Sequence, residues 1–346
     1  MITMKELGNL AGVSQSTISI VLNHKAKQYG ISEETQKRIH ALAHQHGFRP
    51  NMMARSMRVG RTGIVGLLVH EGAMRQSFDQ QGNENSYMRL QAAFLLAGYK
   101  IMLEVVTDED IRTLTIPKFV SDGLADFLIL MENFVDSTRS TNYIAALHRF
   151  LPRLMLYDDC CDLPDIPTLS RDNAEAAIIA ADHLWERGYR SFGILCDASF
   201  RLAHSLRAKA FQTRIAELSG GASPVELVTA GDRWTLNCGG LAVTELLERM
   251  QGKLPDALFC TNDYFAYGAE QELLQRGYSI PKDTALIGVG EWGMSEQAQI
   301  PITTVSQDVK ERIEAAVKRW KDIQAGVALS EKIPPLPSRL QVRAST

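Results

Sequence analysis

Capping residues divide the first part of the chain into three short predicted helices. Thr3 and Glu6 form a T-x-x-E capping box ahead of an apolar stretch with helical spacing. Ser14 caps a second helix, and Ser32 caps a third helix that ends near Gly47. The inward positions of the third helix follow i, i+4, i+7, i+8 spacing and are Thr35, Ile39, Leu42 and Ala43. The pattern predicts a small all-α domain over residues 1–49.

The second predicted helix has one apolar face and one face of small polar side chains. At about 100° per residue, Ile18, Val21 and Leu22 of the stretch VSQSTISIVLN share one side. The opposite side carries Ser16, Ile20 and Asn23. Two short helices joined by a glycine-containing turn are typical of a helix-turn-helix, whose second helix enters the major groove of DNA. The alternative is a helical hairpin with a serine-rich surface.

The outward side chains of this helix suit contacts with base edges. Gln15 can bond to adenine, and Ser16 and Ser19 suit either a base or a phosphate. Ile20 can contact a thymine methyl group, and DNA would then bury an otherwise exposed apolar side chain.

Charge separates the same first part from the rest of the chain. Residues 1–61 contain nine lysines and arginines and three glutamates, which gives +6, whereas the whole chain has a net charge of −3. The remaining 285 residues therefore carry −9. A small basic domain joined to a large acidic one indicates that only the first part binds a polyanion.

A short segment, RPNMMARSMRVG, follows the predicted all-α domain. Pro50 and Asn51 suit the start of a helix, and Gly60 suits its end. The helix between them has only about two turns, fewer than the roughly 12 residues that an isolated helix needs in water. Residues 50–61 are therefore either a hinge helix that needs a partner or a flexible linker.

From Thr62 onward, apolar runs alternate with helical stretches. The predicted strands are TGIVGLLV, KIMLEVV, ADFLILM, RLMLYD, FGILC, VELVTA, DALFC and ALIGVG. Such alternation indicates parallel sheets covered on both faces. Because this part is too long for one comfortable sheet, we predict an α/β domain over 62–346 with two doubly wound parallel-sheet lobes. We place one lobe at about 62–168 and 301–325, and the other at about 169–300 and 326–346.

The composition disfavours a membrane or secreted protein. No apolar run approaches the roughly 20 residues of a membrane span, and the N-terminus has a capping pattern instead of a signal peptide. The five cysteines are an odd number without CxxC spacing, as expected for thiols in a reducing cytoplasm. We predict a cytoplasmic protein.

Motifs for catalysis are also missing from the sequence. It contains no GxSxG, no P-loop and no GxGxxG after the first strand. His40 and His44 share a helical face, as zinc ligands can, but no HExxH motif or third ligand accompanies them. We predict no enzyme, no metal and no cofactor. A sugar-binding receptor of periplasmic type is the alternative among two-lobed α/β proteins, although the basic first domain argues against it.

The chain resembles the lactose-repressor (LacI/GalR) family of bacterial transcription regulators. The stretches MKELGNLAGVSQSTISIVLN, ISEETQKRI and GFRPNMMARSMR resemble its DNA-binding headpiece and hinge. The resemblance continues through DGLADFLIL, SRDNAEAA, HLWERGYRSFGIL, RAKAF, TNDYFAYGA, IPITTVSQD and LQVRAST. It implies a helix-turn-helix headpiece and a periplasmic-binding-protein-like effector domain. It also implies a homodimer that binds a palindromic double-stranded operator and a small-molecule effector.

The resemblance carries the DNA-binding residues of the family onto this sequence. The family headpiece reads the major groove, which here implicates Thr3, Ser14, Gln15, Ser16, Thr17, Ser19, Ile20 and Asn23. The family hinge inserts an apolar side chain into the minor groove, a position that matches Met57, with Asn51, Ala54 and Arg55 beside it. The family commonly has a basic residue in place of Ile20. Isoleucine cannot hydrogen-bond to guanine, so we expect a different base preference.

Effector residues are expected where predicted strands end, because ligands of doubly wound sheets bind at the carboxyl ends of strands. Residues at these ends include His70, Glu132, Asp158, Asp197 and Asp263. The resemblance implies an effector site formed by Arg207 of RAKAF, the pair Asn262 and Asp263, the aromatic Trp234, and Asp158.

Two features of this expected site bear on the ligand. The family usually has G-[FY]-D-[DN] where this chain has Gly288-Val289-Gly290-Glu291. Glycine therefore replaces the family aspartate that bonds ligand hydroxyls. Either Glu291 substitutes for that aspartate or the pocket is larger. Arg201, six residues before Arg207, either adds a second guanidinium for a carboxylate or phosphate or is a solvated surface residue. We expect a sugar or sugar acid, acting as inducer or co-repressor; the alternatives are a protein partner and a phosphorylated intermediate.

Overall fold

The structure is a computed structural model in which the chain divides into two compact units, Met1–Thr62 and Gly63–Thr346. It describes residues 2–23, 25–48, 60–72, 74, 86–131, 137–157, 163, 166–196, 202–230, 237–290, 293–307, 309–327 and 335–346.

Among its described residues, the first unit contains three α-helices and one short 3-10 helix. Their bounds are α1 Met4–Ala11, α2 Gln15–Leu22, the 3-10 helix Ala26–Tyr29 and α3 Glu33–Gln45. All three predicted caps are confirmed: the side chains of Thr3, Ser14 and Ser32 accept hydrogen bonds from the backbone three residues ahead at 3.2, 3.1 and 3.3 Å. Thr3 and Glu6 form the complete capping box.

The apolar faces of these helices form one core. Leu7, Ile18, Val21 and Ile39 are at most 1% exposed and lie in the same cluster, so the predicted inward face of α2 is confirmed. A side-chain carbon on Gly8 would lie 2.9 Å from the carbonyl oxygen of Val13, and the missing side chain lets α1 approach the turn before α2.

The first sheet of the second unit has four parallel strands in the order β2-β1-β3-β4. The strands are β1 Ile64–His70, β2 Lys100–Val106, β3 Phe127–Met131 and β4 Leu154–Tyr157. The helices between them are α4 Ser86–Leu96, α5 Asp108–Thr113, α6 Lys118–Ser121 and α7 Ser137–Phe150. Alternate residues of the strands enter two different cores, with Leu128 beside Tyr143 of α7 and Phe127 beside Phe94 of α4. Both faces are therefore covered.

The second sheet has six strands in the order β10-β9-β8-β7-β5-β6, and only β10 is antiparallel to its neighbour. The strands are β5 Phe192–Cys196, β6 Val225–Thr229, β7 Ala257–Cys260, β8 Ala285–Val289, β9 Thr303–Ser306 and β10 Arg339–Gln341. The helices are α8 Asn173–Glu186, α9 Leu202–Ser219, α10 Asn237–Arg249, α11 Asp263–Gln275 and α12 Gly293–Gln297. Helices α8 and α9 cover one face and α10 and α11 the other. The predicted architecture of two doubly wound, mostly parallel sheets is confirmed.

One part of the predicted lobe division is wrong. We assigned 301–325 to the first lobe as a block, but Thr303–Ser306 pairs with β8 in the second sheet. The following helix, α13 Val309–Gln324, does pack on the first sheet, where Trp320 stacks on Phe127 at 4.8 Å between ring centroids. The chain therefore crosses between the sheets after β9 and before α13. In the part of the chain that the structure describes, no helix is long and apolar enough to cross a membrane.

Candidate DNA-binding and effector sites

The start of α2 presents a cluster of polar side chains. Ser14, Gln15 and Ser16 are exposed, and Thr17 is half-buried. The Ser14 hydroxyl lies 2.7 Å from that of Ser16 and 2.9 Å from that of Thr17, while it also caps the helix. Ser14 thus fixes the neighbouring hydroxyls, and the exposed Gln15 side chain is the one best placed to reach beyond the surface.

The later turns of α2 hold the other predicted readout residues. Ile20 is half-buried but lies outside the apolar cluster that holds Ile18 and Val21. The Asn23 side chain donates to the Ser19 carbonyl oxygen at 2.6 Å and to the Ser19 hydroxyl at 3.3 Å. Asn23 therefore stabilises the end of α2.

Thr3, at the start of α1, is exposed and belongs to the capping box. Its backbone N–H donates to the Glu6 carboxylate at 2.8 Å and its hydroxyl donates to the same oxygen at 2.9 Å. These two bonds, the backbone bond first, lower the pKa of the Glu6 carboxyl. The hinge residues Asn51, Ala54, Arg55 and Met57 lie outside the described residues.

A buried arginine organises the predicted effector site. Arg207, on α9, is 3% exposed. Its Nε donates to Asn173 Oδ1 at 2.9 Å, its Nη1 to the Thr261 carbonyl oxygen at 2.7 Å, and its Nη2 to Gln307 Oε1 at 2.8 Å. Gln307 Nε2 in turn donates to the Asp172 carbonyl oxygen at 3.2 Å. This network joins the start of α8 to the ends of β7 and β9, at the carboxyl edge of the second sheet.

The pair predicted after β7 lies at the same edge. Asn262 caps α11, since its Oδ1 accepts from the Phe265 N–H at 2.9 Å. Asp263 is completely buried, and its Oδ1 accepts from the Thr304 hydroxyl at 2.7 Å. A side-chain carbon on Gly288 would lie 2.2 Å from this carboxylate oxygen, so Gly288 is the residue that leaves room for Asp263.

Two side-chain amide nitrogens at this edge lack a hydrogen-bond partner among the described residues. Asn173 and Asn262 are each 3% exposed, and the Nδ2 atom of each makes no hydrogen bond with any described residue. A buried donor without an acceptor costs roughly 1–3 kcal/mol, and a bound ligand with oxygen acceptors removes that cost. Sequence reasoning missed Asn173 and Gln307, although both lie in stretches that carried the family resemblance, SRDNAEAA and IPITTVSQD.

The remaining predicted effector residues are not placed. Asp158, Arg201, Trp234 and Glu291, together with Glu132 and Asp197, lie outside the residues that the structure describes. His70 is the last residue of β1 and is 4% exposed. The Gly72 N–H donates to its Nδ1 at 3.2 Å, which leaves Nε2–H to donate to Asp108 Oδ1 at 3.0 Å.

The histidines of α3 and the described cysteines are not arranged for metal binding or thiol chemistry. His40 and His44 are both exposed on α3, and no group of three or more His, Cys, Asp or Glu residues there is arranged to hold a metal ion. Cys196, Cys238 and Cys260 are buried thiols that form no disulfide. Burial, and secondarily the Asp263 charge, raises the pKa of the Cys260 thiol, so it is held as an unreactive neutral group.

Comparison with known proteins agrees with this geometry. Residues 3–51 match the model for bacterial regulatory proteins of the lacI family, and residues 181–346 match the periplasmic binding protein-like domain. The HTH-type transcriptional repressor PurR of Aliivibrio fischeri (strain MJ11) is 26% identical over 359 residues, covering 99% of this chain and 98% of PurR.

Two solved structures have a similar fold. The Lac repressor dimer bound to operator and the anti-inducer ONPF has a TM-score of 0.78 and 18% identity, covering 99% of this chain and 98% of that one. The complex of the transcriptional regulator CelR with cellobiose has a TM-score of 0.67 and 20% identity, covering 100% of both chains.

A helix-turn-helix domain followed by a periplasmic-binding-protein-like domain defines a DNA-binding transcription regulator with an effector-binding domain. The chain belongs to the lacI family of bacterial regulatory proteins. Since this is a family of DNA-binding regulators, the prediction that the chain is not an enzyme is confirmed.

Proposed function

We propose that the chain is a transcriptional repressor that binds a palindromic operator as a homodimer. Its operator affinity is controlled by a small molecule, a sugar or sugar acid, bound in the second unit. The observation that carries the proposal is the Arg207 network, with the unpartnered amide donors of Asn173 and Asn262 and the buried Asp263 carboxylate at the same sheet edge. Donors and an acceptor together suit a ligand with several hydroxyl groups.

The DNA-binding half of the proposal assigns base contacts to α2. Gln15 and Ser16 are exposed at its start, and Ile20 lies outside the core, where DNA can bury it. Met57 supplies the apolar wedge in the minor groove, with Asn51, Ala54 and Arg55 beside it. Binding to an operator selected from random duplexes should fall steeply with salt, because the basic headpiece releases counterions from phosphates. Weak, sequence-independent binding would contradict this assignment.

The homodimer is supported by an exposed apolar surface on the first sheet. Strand β2 is an edge strand, and Leu103 and Val105 on it are 40% and 37% exposed. Neighbouring α4 exposes Leu95 and Leu96. A soluble protein seldom leaves an apolar edge of this kind uncovered. Leu103→Lys should convert a dimer to a monomer in sedimentation, whereas Phe150→Lys, on an exposed apolar side chain at the end of α7, should not.

The Arg207 network and the similar proteins both bear on the chemical class of the ligand. A sugar is favoured because the ligand of the structurally similar CelR complex is cellobiose. The PurR relatives make a purine the competing small molecule, and a protein partner is the second alternative. A sugar acid is favoured over a neutral sugar if Arg201 joins Arg207, whereas a neutral sugar is favoured if Glu291 takes the place of the missing family aspartate.

A thermal-shift panel of sugars, sugar acids, sugar phosphates and purine bases tests the effector. A ligand at 100 times its Kd adds about 2.7 kcal/mol to native stability, which moves the melting temperature visibly. The shift should disappear in Arg207→Ala, measured from that variant's own baseline, and persist in Lys209→Ala, which removes an exposed charge from the same helix. The hit should then change operator affinity. A purine hit would overturn the sugar assignment, and a panel without hits would favour a protein partner.

A further inference from the structure

A second buried arginine lies at the carboxyl end of the first sheet. Arg312 is in the first turn of α13 and is 2% exposed. Its Nη2 donates to the carbonyl oxygen of Tyr157, the last residue of β4, at 2.6 Å. Its guanidinium carbon lies 4.2 Å above the centre of the Tyr157 ring. Tyr157 therefore fixes the position of the guanidinium from two sides.

No acidic side chain among the described residues neutralises the charge of Arg312. No described carboxylate forms an ion pair with it, and its buried Nε makes no hydrogen bond. The adjacent Glu311 is paired instead with Arg339 at 2.9 Å. An arginine cannot release its proton to relieve the cost of burial, so an isolated buried guanidinium is strongly unfavourable. The first turn of a helix adds to this cost because it is the positive end of the helix dipole.

Arg312 is also close to the Arg207 network. Gln307, which accepts from Arg207 Nη2, is five residues before Arg312. Even with the first two residue-to-residue distances fully extended and the next three helical, the backbone between Gln307 and Arg312 spans at most about 12 Å. Both arginines lie where parallel strands end, which is where ligands of such sheets bind. A hydroxylated ligand with a terminal charged group can therefore contact both.

We propose that Arg312 is an anion-binding group of the effector site, so that the effector carries a carboxylate or a phosphate. The proposal rests on the proposed function, because it names the ligand class of that site. Arg312 binds the anionic group from the first lobe, while Arg207 and the free amide donors of Asn173 and Asn262 bind hydroxyls from the second. The effector thus supplies an opposite charge that no described residue offers to Arg312.

Inorganic phosphate, gluconate and glucose 6-phosphate are suitable probes, with glucose as the neutral control. Each is titrated into the full chain at constant ionic strength while the melting temperature is followed. Arg312→Met keeps the unbranched apolar stem of the side chain and removes the charged guanidinium. Arg319→Met is the matched control, since Arg319 is another buried arginine of α13, 6% exposed.

The expected result is that at least one anionic probe stabilises the wild type and Arg319→Met. Its apparent Kd should be about tenfold or more weaker in Arg312→Met, because a charge-assisted hydrogen bond is lost. Without probes, Arg312→Met should be as stable as the wild type or more stable, because a buried unpaired charge is removed. Arg312→Lys, which keeps the charge but not the fork, should retain part of the response.

Three outcomes overturn the proposal. The first is an equal response to anions in the wild type and Arg312→Met, or no response in either. The second is a probe-free loss of stability in Arg312→Met that Asp158→Asn reproduces, since Asp158 would then be the internal partner of Arg312. The third is a neutral sugar whose binding is lost in Arg207→Ala and kept in Arg312→Met. That third result would retain the proposed function and reject only the anion site.

Discussion

Replacing Gly288 by alanine tests whether Asp263 is held in place by the space beside it. Gly288 lies in β8, and a side-chain carbon there would be 2.2 Å from Asp263 Oδ1 and 3.2 Å from the Ala266 side chain. Ordinary contacts of such a carbon are 3.4 Å or longer. The carboxylate must therefore move by about 1 Å or more, and this motion breaks its 2.7 Å bond from the Thr304 hydroxyl.

Two effects of Gly288→Ala lower the free energy of unfolding. Inserting a methyl group into a well-packed core costs about 1–3 kcal/mol. Depriving a buried acceptor of a hydrogen bond costs roughly another 1–3 kcal/mol. We expect Gly288→Ala to lower the free energy of unfolding of the second unit by about 2–6 kcal/mol. It should also weaken effector binding, because Asp263 is one of the proposed ligand contacts.

Urea unfolding followed by tryptophan fluorescence measures this loss. All four tryptophans lie after residue 62, so the signal reports the second unit alone. Gly293→Ala is the matched control, since a side-chain carbon there meets no atom within 4 Å, and it should be neutral or stabilising by up to about 1 kcal/mol. Thr304→Val should cost less in the Gly288→Ala background, because both changes remove the same bond. A loss below about 1 kcal/mol with an unchanged m-value would refute the reasoning.

Three further predictions concern the headpiece, the hinge and the second sheet. Ile20→Arg should shift base preference toward guanine by about 1–3 kcal/mol, and equal preference in both proteins across guanine-substituted operators would contradict it. Met57→Ala should weaken operator binding in fluorescence anisotropy while effector binding stays unchanged; unaltered operator affinity would exclude the wedge. Burial, assisted by the Arg187 charge, lowers the pKa of His183 below its usual 6.5, so the unfolded chain binds this proton more readily. Stability should be complete above about pH 6.5 and fall as the pH drops below it, and His183→Gln should flatten that dependence in thermal melts; an identical pH profile would exclude His183 as its cause.

Local signals in the sequence accounted for the headpiece. Each cap joins residues three positions apart, and the buried face of α2 follows from helical spacing alone. The Gly12 left-handed C-cap, with φ of 64°, is likewise a single-residue signal. Such features need no knowledge of distant parts of the chain, which is why the positions of Ser14 and Ile18 could be predicted.

Strand β9 shows where local signals fail. Thr303–Ser306 is polar in sequence yet fully buried, because distant groups satisfy its hydroxyls. Thr303 Oγ1 lies 2.8 Å from the Thr346 hydroxyl, and Thr304 donates to Asp263. The effector network has the same character, because Arg207 meets partners 34 and 100 residues away. These pairings depend on strand order, which periodicity does not specify.

Gly290, which stands where the family usually has an aspartate, and the buried Arg312 both bear on the charge of the ligand. Gly290 has φ of 136°, which other residues rarely adopt, so an aspartate at this position would strain the backbone conformation seen here. An aspartate at the end of β8 would bond ligand hydroxyls but oppose a ligand anion. The absence of that aspartate and the buried guanidinium of Arg312, which pairs with no described carboxylate, both support the proposed anionic effector. If Glu291 replaced that aspartate instead, a neutral sugar would be preferred. The affinities of glucose and gluconate, compared in the wild type and in Arg312→Met, therefore decide between the two explanations.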